Sequence, residues 1–236
     1  MNWLSRLFRT PPRLDAEHAA ALSAYRQLPV VTNSTPLSAV RFIVADVETT
    51  GLNPFRDRLV SIGAITVTDR TVRLGSGFEV VFRQPRASPG ANILIHGIDG
   101  TTQLSGLEPA AAMLRFLEYA GAAPLVGFHA DFDRVVINRA SKKTLGLEPS
   151  NIWLDLALLA PALLTAPGST PPRGLDAWTD KFGIRNYARH NAVADALATA
   201  QLLQVVLARA MAGGAAVLGD LVRMEQDQRW LAQQKR

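Results

Sequence analysis

The most constraining feature of this sequence is a short apolar run, residues 42–48 (FIVADVE), that ends in two acidic residues. A run of this length without polar alternation suits a central strand of a sheet that helices cover on both faces. Residues two apart in a strand project to the same face, so we expect Asp46 and Glu48 to lie side by side. Neighbouring carboxylates repel each other and resist burial, and a divalent cation would relieve that repulsion. Ligands that are all oxygen favour Mg²⁺ or Mn²⁺ over zinc.

The patterns that follow predict an α/β fold. Strands are expected at 59–67 and 78–82, and short turn-rich connections make the first three strands an antiparallel meander. The apolar period then changes to that of helices, expected over 109–117, 132–145, 155–163, 175–182 and 192–211. Two further strands, at 124–128 and 152–154, alternate with these helices. The prediction is a mixed five-stranded sheet, with strands 4 and 5 parallel and helices on both faces.

The chain divides by composition into three parts. Residues 39–212 carry the organised strand and helix patterns. Residues 1–38 are predicted to be an N-terminal extension with an apolar stretch at 3–8 and a helix over about 15–27. Two interpretations of this extension stay open: a helix or tail associated with the core, and a contact with a partner or a membrane surface. Residues 213–236 are predicted to be a helical C-terminal tail.

Composition excludes some kinds of site and permits others. The 236 residues include no cysteine, which rules out disulfides, thiolate metal sites and a cysteine nucleophile. A formal net charge of +5 permits a polyanionic partner such as nucleic acid without requiring one. Charged or polar residues interrupt the apolar runs and no secretory signal pattern is present, so we expect no transmembrane segment and a cytoplasmic location. The oligomeric state is left open.

A second polar group, residues 127–133 (GFHADFD), follows the fourth predicted strand and begins the next helix. Asp131 is expected to be the N-cap of that helix, because its carboxylate can accept hydrogen bonds from the first backbone N–H groups. Asp133 lies in the first turn, where the helix dipole favours a negative charge whether or not a metal binds. For His129, packing or a supporting role is favoured over catalysis.

A third group, residues 190–195 (HNAVAD), begins the long predicted helix, with Asn191 as its N-cap. Five residues at about 100° each place positions 190 and 195 on different faces of a helix. His190 is therefore expected in the preceding loop, folded over the same cleft as Asp195. The alternatives are a dipole contact for Asp195 and an ordinary loop position for His190. Alternate alanines from 192 to 198 would let this helix approach the sheet closely.

Taken together, the three groups resemble the Asp-Glu-Asp-Asp-His 3′→5′ exonucleases of the ribonuclease H-like superfamily, and are most similar to the proofreading epsilon subunits of bacterial replicative DNA polymerases. The resemblance rests on residues 46–52 (DVETTGL), 132–133 (FD) and 189–196 (RHNAVADA). Shorter similarities occur at 95–98, 154–155 and 175–176, and the likeness covers about 41–211. In one departure, Phe128 and His129 stand where the family often has His-Asn, which leaves the role of His129 and the substrate preference open.

The resemblance implies hydrolysis of the terminal phosphodiester bond at a 3′ end, with release of nucleoside monophosphates. It implies two divalent cations, Mg²⁺ or Mn²⁺, and a histidine as general base. The residues that it assigns to the metals are Asp46, Glu48, Asp133 and Asp195, and the base is His190. The residues that it places against the terminal nucleotide are Thr49, Gly51, Leu52 and Phe132. Candidate phosphate contacts are Arg139, Lys142, Lys143, Arg185 and Arg189.

The resemblance favours DNA as the substrate, in proofreading or repair, and a DNA polymerase subunit as a candidate partner. An oligoribonuclease-like enzyme acting on RNA is the nearest alternative, because no residue in the sequence identifies a contact with a 2′-hydroxyl group. A third alternative is a non-catalytic module on the same fold that binds nucleic acid or a polymerase. It is the least favoured, because all five catalytic-type positions are filled.

Overall fold

The computed structural model describes residues 14–234, so the apolar stretch noted at 3–8 lies outside the described residues. The strands are β1 (Arg41–Thr49), β2 (Leu59–Thr68), β3 (Thr71–Val81), β4 (Leu125–Gly127) and β5 (Trp153–Asp155). The α-helices of this part of the chain are α1 (Ala16–Arg26), α2 (Gly90–His96), α3 (Gly100–Ser105), α4 (Pro109–Ala120), α5 (Asp131–Leu145), α6 (Leu156–Leu164), α7 (Gly174–Phe182), α8 (Ala192–Ala212) and α9 (Leu218–Gln234).

The five strands form one sheet in the order β3-β2-β1-β4-β5. The β1–β2 and β2–β3 pairs are antiparallel, whereas the β1–β4 and β4–β5 pairs are parallel. This arrangement confirms the predicted mixed sheet with a meander followed by parallel strands. β1 is therefore the central strand, and its carboxyl end, where the acidic residues lie, is in the middle of the row of strand ends on one side of the sheet.

Alternate residues of β1 serve two separate cores. Phe42 and Val44 pack into a core with α8, whereas Ile43, Ala45 and Val47 pack into a second core with α4 and α5. All five are buried, which explains why the run carries no polar alternation until its end. By the same alternation, residues 46 and 48 belong to the face that α8 covers.

The long helix α8 is apolar enough, by length and composition, to meet the criterion for a membrane span. In the structure, 56% of its most apolar window is buried, and the helix packs against β1 and β2. A position against the sheet accounts for this composition, because a helix that is apolar on most sides suits the core of a globular domain.

Two features between the second strand and α4 differ from the prediction. β3 begins at Thr71, seven residues before the predicted start, because its first half is mostly exposed and shows no apolar alternation. The short helices α2 and α3 were not predicted. The Asp99 carboxylate caps α3 by accepting a hydrogen bond from the Thr102 N–H at 2.9 Å, a local signal that the sequence does contain.

Segments on either side of the central domain pack onto it. α1 packs on α4, with Leu22 buried in the second core. α9 packs on α6 and β5, with Leu218 and Leu221 buried in the first core. The two flanking segments also meet each other, because the Leu218 N–H donates to the Thr35 carbonyl at 2.9 Å. The domain boundaries at 38 and 212 stay predictions.

Candidate active site

Three carboxylates converge at the carboxyl end of β1. Asp46 and Glu48 project from the same face of the strand, and Asp195 reaches them from the first turn of α8. One oxygen of each lies within 4.8 Å of the others. The spacing of Asp46 and Glu48 predicted that these two lie side by side, and the family resemblance implied that Asp195 joins them.

Gly63 on β2 makes this convergence sterically feasible. It is paired with Asp46 in the β1–β2 ladder and lies under the start of α8. A Cβ atom at this position would lie 2.3 Å from the backbone of Ala192 and Val193. Only glycine therefore allows the first turn of α8 this close to the sheet. The small residues on α8 were recognisable in the sequence, but their counterpart on β2 was not predicted.

Substitution of Gly63 by alanine should separate α8 from the sheet and displace Asp195. We expect a loss of about 1–3 kcal/mol in the free energy of unfolding, as for an overpacked core. The nuclease activity that the motifs predict should fall by about 10²-fold, because a shift of the order of 1 Å at a catalytic group has that effect. Thermal melts and cleavage assays would measure both. Gly75→Ala is the matched control, since a Cβ atom at Gly75 meets nothing within 4 Å; equal behaviour of the two variants would contradict this account.

Burial and electrostatic repulsion favour protonation of Asp46 and Glu48. Burial, followed by the charge of Asp195, raises the pKa of Asp46 to about 8. Burial and the charges of Asp46 and Asp195 raise the pKa of Glu48 to about 8, and the Arg189 guanidinium opposes both shifts. Such a site gains stability from any cation that replaces the protons. A donor set made only of carboxylate oxygens fits a hard divalent cation.

Asp133 lies beside the three carboxylates. It is buried in the first turn of α5, and its Oδ1 accepts a hydrogen bond from the Val47 N–H at 3.1 Å, between the two acidic residues of β1. Burial and the charge of Asp46 raise the pKa of Asp133 well above its ordinary value. Asp133 is not one of the three residues whose oxygens converge, so its role as a fourth metal ligand stays a prediction.

The predicted N-cap role of Asp131 is wrong. The N-cap is Ala130, and Asp131 is the first residue of α5. A left-handed turn at His129 (φ 63°) precedes the helix and shifts its start. The Asp131 carboxylate instead pairs with Arg134 at 2.9 Å and with Arg229 of α9.

His190 lies outside α8, as predicted, in a left-handed conformation (φ 62°). Its backbone N–H donates to the Asp195 Oδ2 at 2.9 Å, which ties the loop to the acidic cluster. Asn191 is the N-cap, and its side chain accepts a hydrogen bond from the Ala194 N–H at 3.0 Å. His190 lines a cleft of about 580 Å³ together with His96, which belongs to the Ile95–Ile98 segment noted in the sequence.

Two further residues hold Asp195 in place. The Arg189 guanidinium bridges Asp195 Oδ1 at 2.5 Å and Asp176 Oδ1 at 2.6 Å. The Asn186 side-chain amide also donates to Asp195 Oδ1. Asn186 was missed by the sequence analysis, because a loop asparagine nine residues away carries no recognisable spacing signal. Asp176 was noted only as part of a shorter similarity.

Three of the four residues predicted to contact a nucleotide, Thr49, Gly51 and Leu52, lie where β1 ends and the next loop begins, and Phe132 lies in α5. The Thr49 hydroxyl donates to the Gly51 carbonyl, and Leu52 is 94% exposed. Gly51 packs against the side chain of Asp57, and a Cβ atom at residue 51 would lie 2.5 Å from Asp57 Oδ2. Phe132 is half-buried against the α4–α5 core. Their roles toward a substrate stay predictions.

The candidate phosphate contacts fall in different places. Arg139 and Lys143 line one groove, and Arg185 lines another. Lys142 pairs with Glu148 at 3.3 Å, and Arg189 is engaged by the two aspartates described above. His129 is exposed; its backbone N–H donates to Asp155 Oδ1 at 2.9 Å, and its carbonyl accepts from the Phe132 N–H at 3.1 Å.

Comparison with known proteins confirms the resemblance drawn from the motifs. The family model RNase_T, described as Exonuclease, matches residues 43–203, more than half of the chain. The DNA polymerase III subunit epsilon of Rickettsia felis is 32% identical over 178 residues, which cover 70% of this chain and 73% of that protein. The DNA polymerase III subunit epsilon-like protein of Rhodobacter capsulatus is 34% identical over 196 residues, which cover 79% of this chain.

The chain spans 27% of the length of the Rhodobacter protein. Among solved structures, Escherichia coli exonuclease I in complex with a dT13 oligonucleotide superimposes with a TM-score of 0.61 at 22% identity, over 73% of this chain and 42% of that one. At that identity the superposition supports the fold alone. The match over residues 43–203 includes all three motifs and every residue of the acidic cluster, and the chain belongs to the exonuclease family.

Proposed function

We propose that this protein is a metal-dependent 3′→5′ exonuclease that removes nucleoside monophosphates from the 3′ end of DNA, in proofreading or repair. The observation that carries the proposal is the convergence of Asp46, Glu48 and Asp195 within 4.8 Å, inside the region that matches the exonuclease family. Similarity to the Rickettsia felis epsilon subunit supports the choice of DNA and of a polymerase subunit as partner.

The proposed cofactors are two divalent cations, Mg²⁺ or Mn²⁺. Asp46, Glu48 and Asp195 would hold them, with Asp133 in support beside Val47. Bound there, such ions stabilise negative charge on the phosphate and lower the pKa of water.

The protein's own groups supply the remaining steps. His190 would accept the proton of the attacking water as the new P–O bond forms and the bond from phosphorus to the 3′ oxygen breaks. The hydrogen bond from the His190 N–H to Asp195 fixes the loop that carries this base relative to the acidic cluster. The backbone at Thr49 and Gly51 and the exposed Leu52 side chain would position the terminal nucleotide.

Product analysis on 5′-labelled and 3′-labelled strands tests the proposal. We expect a ladder of strands shortened by single nucleotides from the 5′-labelled DNA and labelled mononucleotide from the 3′-labelled DNA, both dependent on Mg²⁺ or Mn²⁺. Faster cleavage of matched RNA would favour the oligoribonuclease-like alternative. Binding of the strand without metal-dependent cleavage would favour the non-catalytic module and contradict the proposed function.

A further inference from the structure

A second cleft, of about 660 Å³, opens at the edge of the sheet where β1 ends, on the α4–α5 face. Its floor includes Leu59 and Phe82, and α1 forms one rim. Five basic side chains line it: Arg56, Arg58, Arg83, Arg139 and Lys143. We propose that this basic groove binds the phosphate backbone of single-stranded DNA upstream of the 3′ terminus. The proposal rests on the proposed function and extends it to the path of the strand.

The basic side chains of the groove are not neutralised locally. Within residues 14–234, no ion pair joins any of the five to a carboxylate. Neutral oxygens orient three of them: Arg58 Nε donates to the Gln84 side chain at 2.9 Å, Arg83 Nε donates to the Gly106 carbonyl at 3.2 Å, and Arg139 donates to the Asp57 carbonyl. Such contacts fix a guanidinium without cancelling its charge, which leaves further N–H groups for an anion.

The three carboxylates of the groove are already engaged by backbone N–H groups. Asp15 accepts from His18 at 2.8 Å, Asp57 accepts from Asn53 at 2.7 Å, and Glu108 accepts from Ala110 at 2.8 Å. These interactions cap α1, close a loop and cap α4, so each acid has a local structural role. Five cations against three carboxylates leave these side chains with a net charge of +2, which favours a polyanion in the groove.

The groove lies close to the candidate active site, at the same end of β1 but on the opposite face of the sheet. The 50–58 loop separates the two, with Gly51 on one side and Asp57, which Arg139 holds, on the other. Asp133 lies in the first turn of α5. Arg139 and Lys143, four residues apart, share one face of the same helix and lie about 9 and 15 Å beyond Asp133 along its axis. A strand with its 3′ end at the acidic cluster would pass over the loop and run along α5. Repeating phosphates are the ligand that spaced, unpaired cations of this kind suit.

The test compares two double substitutions that remove equal charge. Arg56→Gln/Lys143→Gln alters two exposed cations of the groove, and Arg73→Gln/Arg115→Gln alters two exposed cations outside it. Binding of a fluorescein-labelled oligodeoxythymidylate is measured by anisotropy over a range of salt concentrations, in the Asp46→Asn background to prevent cleavage. Each single-strand phosphate contact contributes about 0.7 to the slope of log K against log salt. The slope of log K against log salt should therefore be shallower by about 1.4 for the groove variant than for the parent protein. When the salt concentration falls from about 1 M to about 0.1 M, the affinity of the variant should then rise roughly 25-fold less.

A hydrolysis assay gives a second measure, with the same double substitutions made in the protein that retains Asp46. The ratio of kcat/KM for the long strand to kcat/KM for a dinucleotide should fall in the groove variant and stay unchanged in the control. Equal salt slopes for the two variants would overturn the groove proposal even if DNA is cleaved from its 3′ end. Absence of cleavage by the parent protein would instead overturn the proposed function, and the anisotropy measurement would still decide whether the groove binds DNA.

Discussion

Replacing Asp46 by asparagine should abolish metal-dependent cleavage. The substitution keeps the size of the side chain but removes one of three carboxylates that lie within 4.8 Å of one another. An amide oxygen is a neutral and weaker ligand for a hard divalent cation, and the loss of a ligand at a metal site eliminates the chemistry that the metal supplies. Product analysis on labelled DNA with increasing Mn²⁺ would measure the effect. Near-parental turnover at saturating Mn²⁺ would contradict the assignment of this site.

The same substitution should stabilise the metal-free protein at alkaline pH. The folded-state pKa values of Asp46 and Glu48 are about 8, against ordinary values of 3.8 and 4.5. Between these limits the folded state keeps protons that the unfolded chain has released, so stability falls as the pH rises from about 4 to about 8. Asparagine removes one titrating group and its repulsion of the other. Thermal melts in a chelator should give Asp46→Asn the higher Tm at pH 8, with the difference shrinking toward pH 4. A lower Tm at pH 8 would contradict the repulsion described for the cluster.

Removing the imidazole at position 190 should lower turnover by about 10²–10⁴-fold, the range typical of a general base. His190→Ala tests this directly, but alanine is disfavoured at a φ of 62°. His190→Asn is the sharper variant, because asparagine tolerates that conformation; the backbone N–H that donates to Asp195 is kept in both variants. Binding of Mn²⁺ should be retained in both variants, as measured by calorimetry.

His129→Asn is the matched control for position 190. His129 has nearly the same backbone conformation (φ 63°), is exposed, and carries no assigned role. Its substitution should leave kcat and KM near the parental values. Parental turnover in His190→Asn would show that another group accepts the proton, whereas equal losses in the two variants would point to loop structure rather than to the base.

The central strand and the order of the motifs could be predicted because both depend on short-range pattern. The run from Phe42 to Ala45 lacks polar alternation because two cores use it, and the alternation of the strand determines which face carries the two acids that follow. The position of His190 before α8 followed from the helical repeat and from a good N-cap at Asn191. Each of these inferences needed only a few neighbouring residues.

The supporting contacts were less predictable because they depend on distant parts of the chain. Gly63 matters only because α8, about 130 residues later, begins above it. Asp131 looked like an N-cap, but its carboxylate pairs with Arg229, which lies 98 residues away on a helix that the sequence analysis treated as a tail. In the sequence, Arg189 and Asn186 could not be distinguished from ordinary loop residues. Only their short distances to Asp195 show that they hold this carboxylate in place.

The contact between the segments that flank the central domain has a practical consequence for shortened forms of the protein. The Leu37 N–H donates to the Ala216 carbonyl at 2.9 Å, and the Gly219 N–H donates to the Asn33 carbonyl at 2.8 Å. Trimming one segment alone would leave the other with unpaired backbone groups, and loss of α9 would also uncover apolar side chains on α6. A minimal version limited to the family-matched region would therefore be a poor surrogate in biochemical work, and fusion partners are better attached outside both segments.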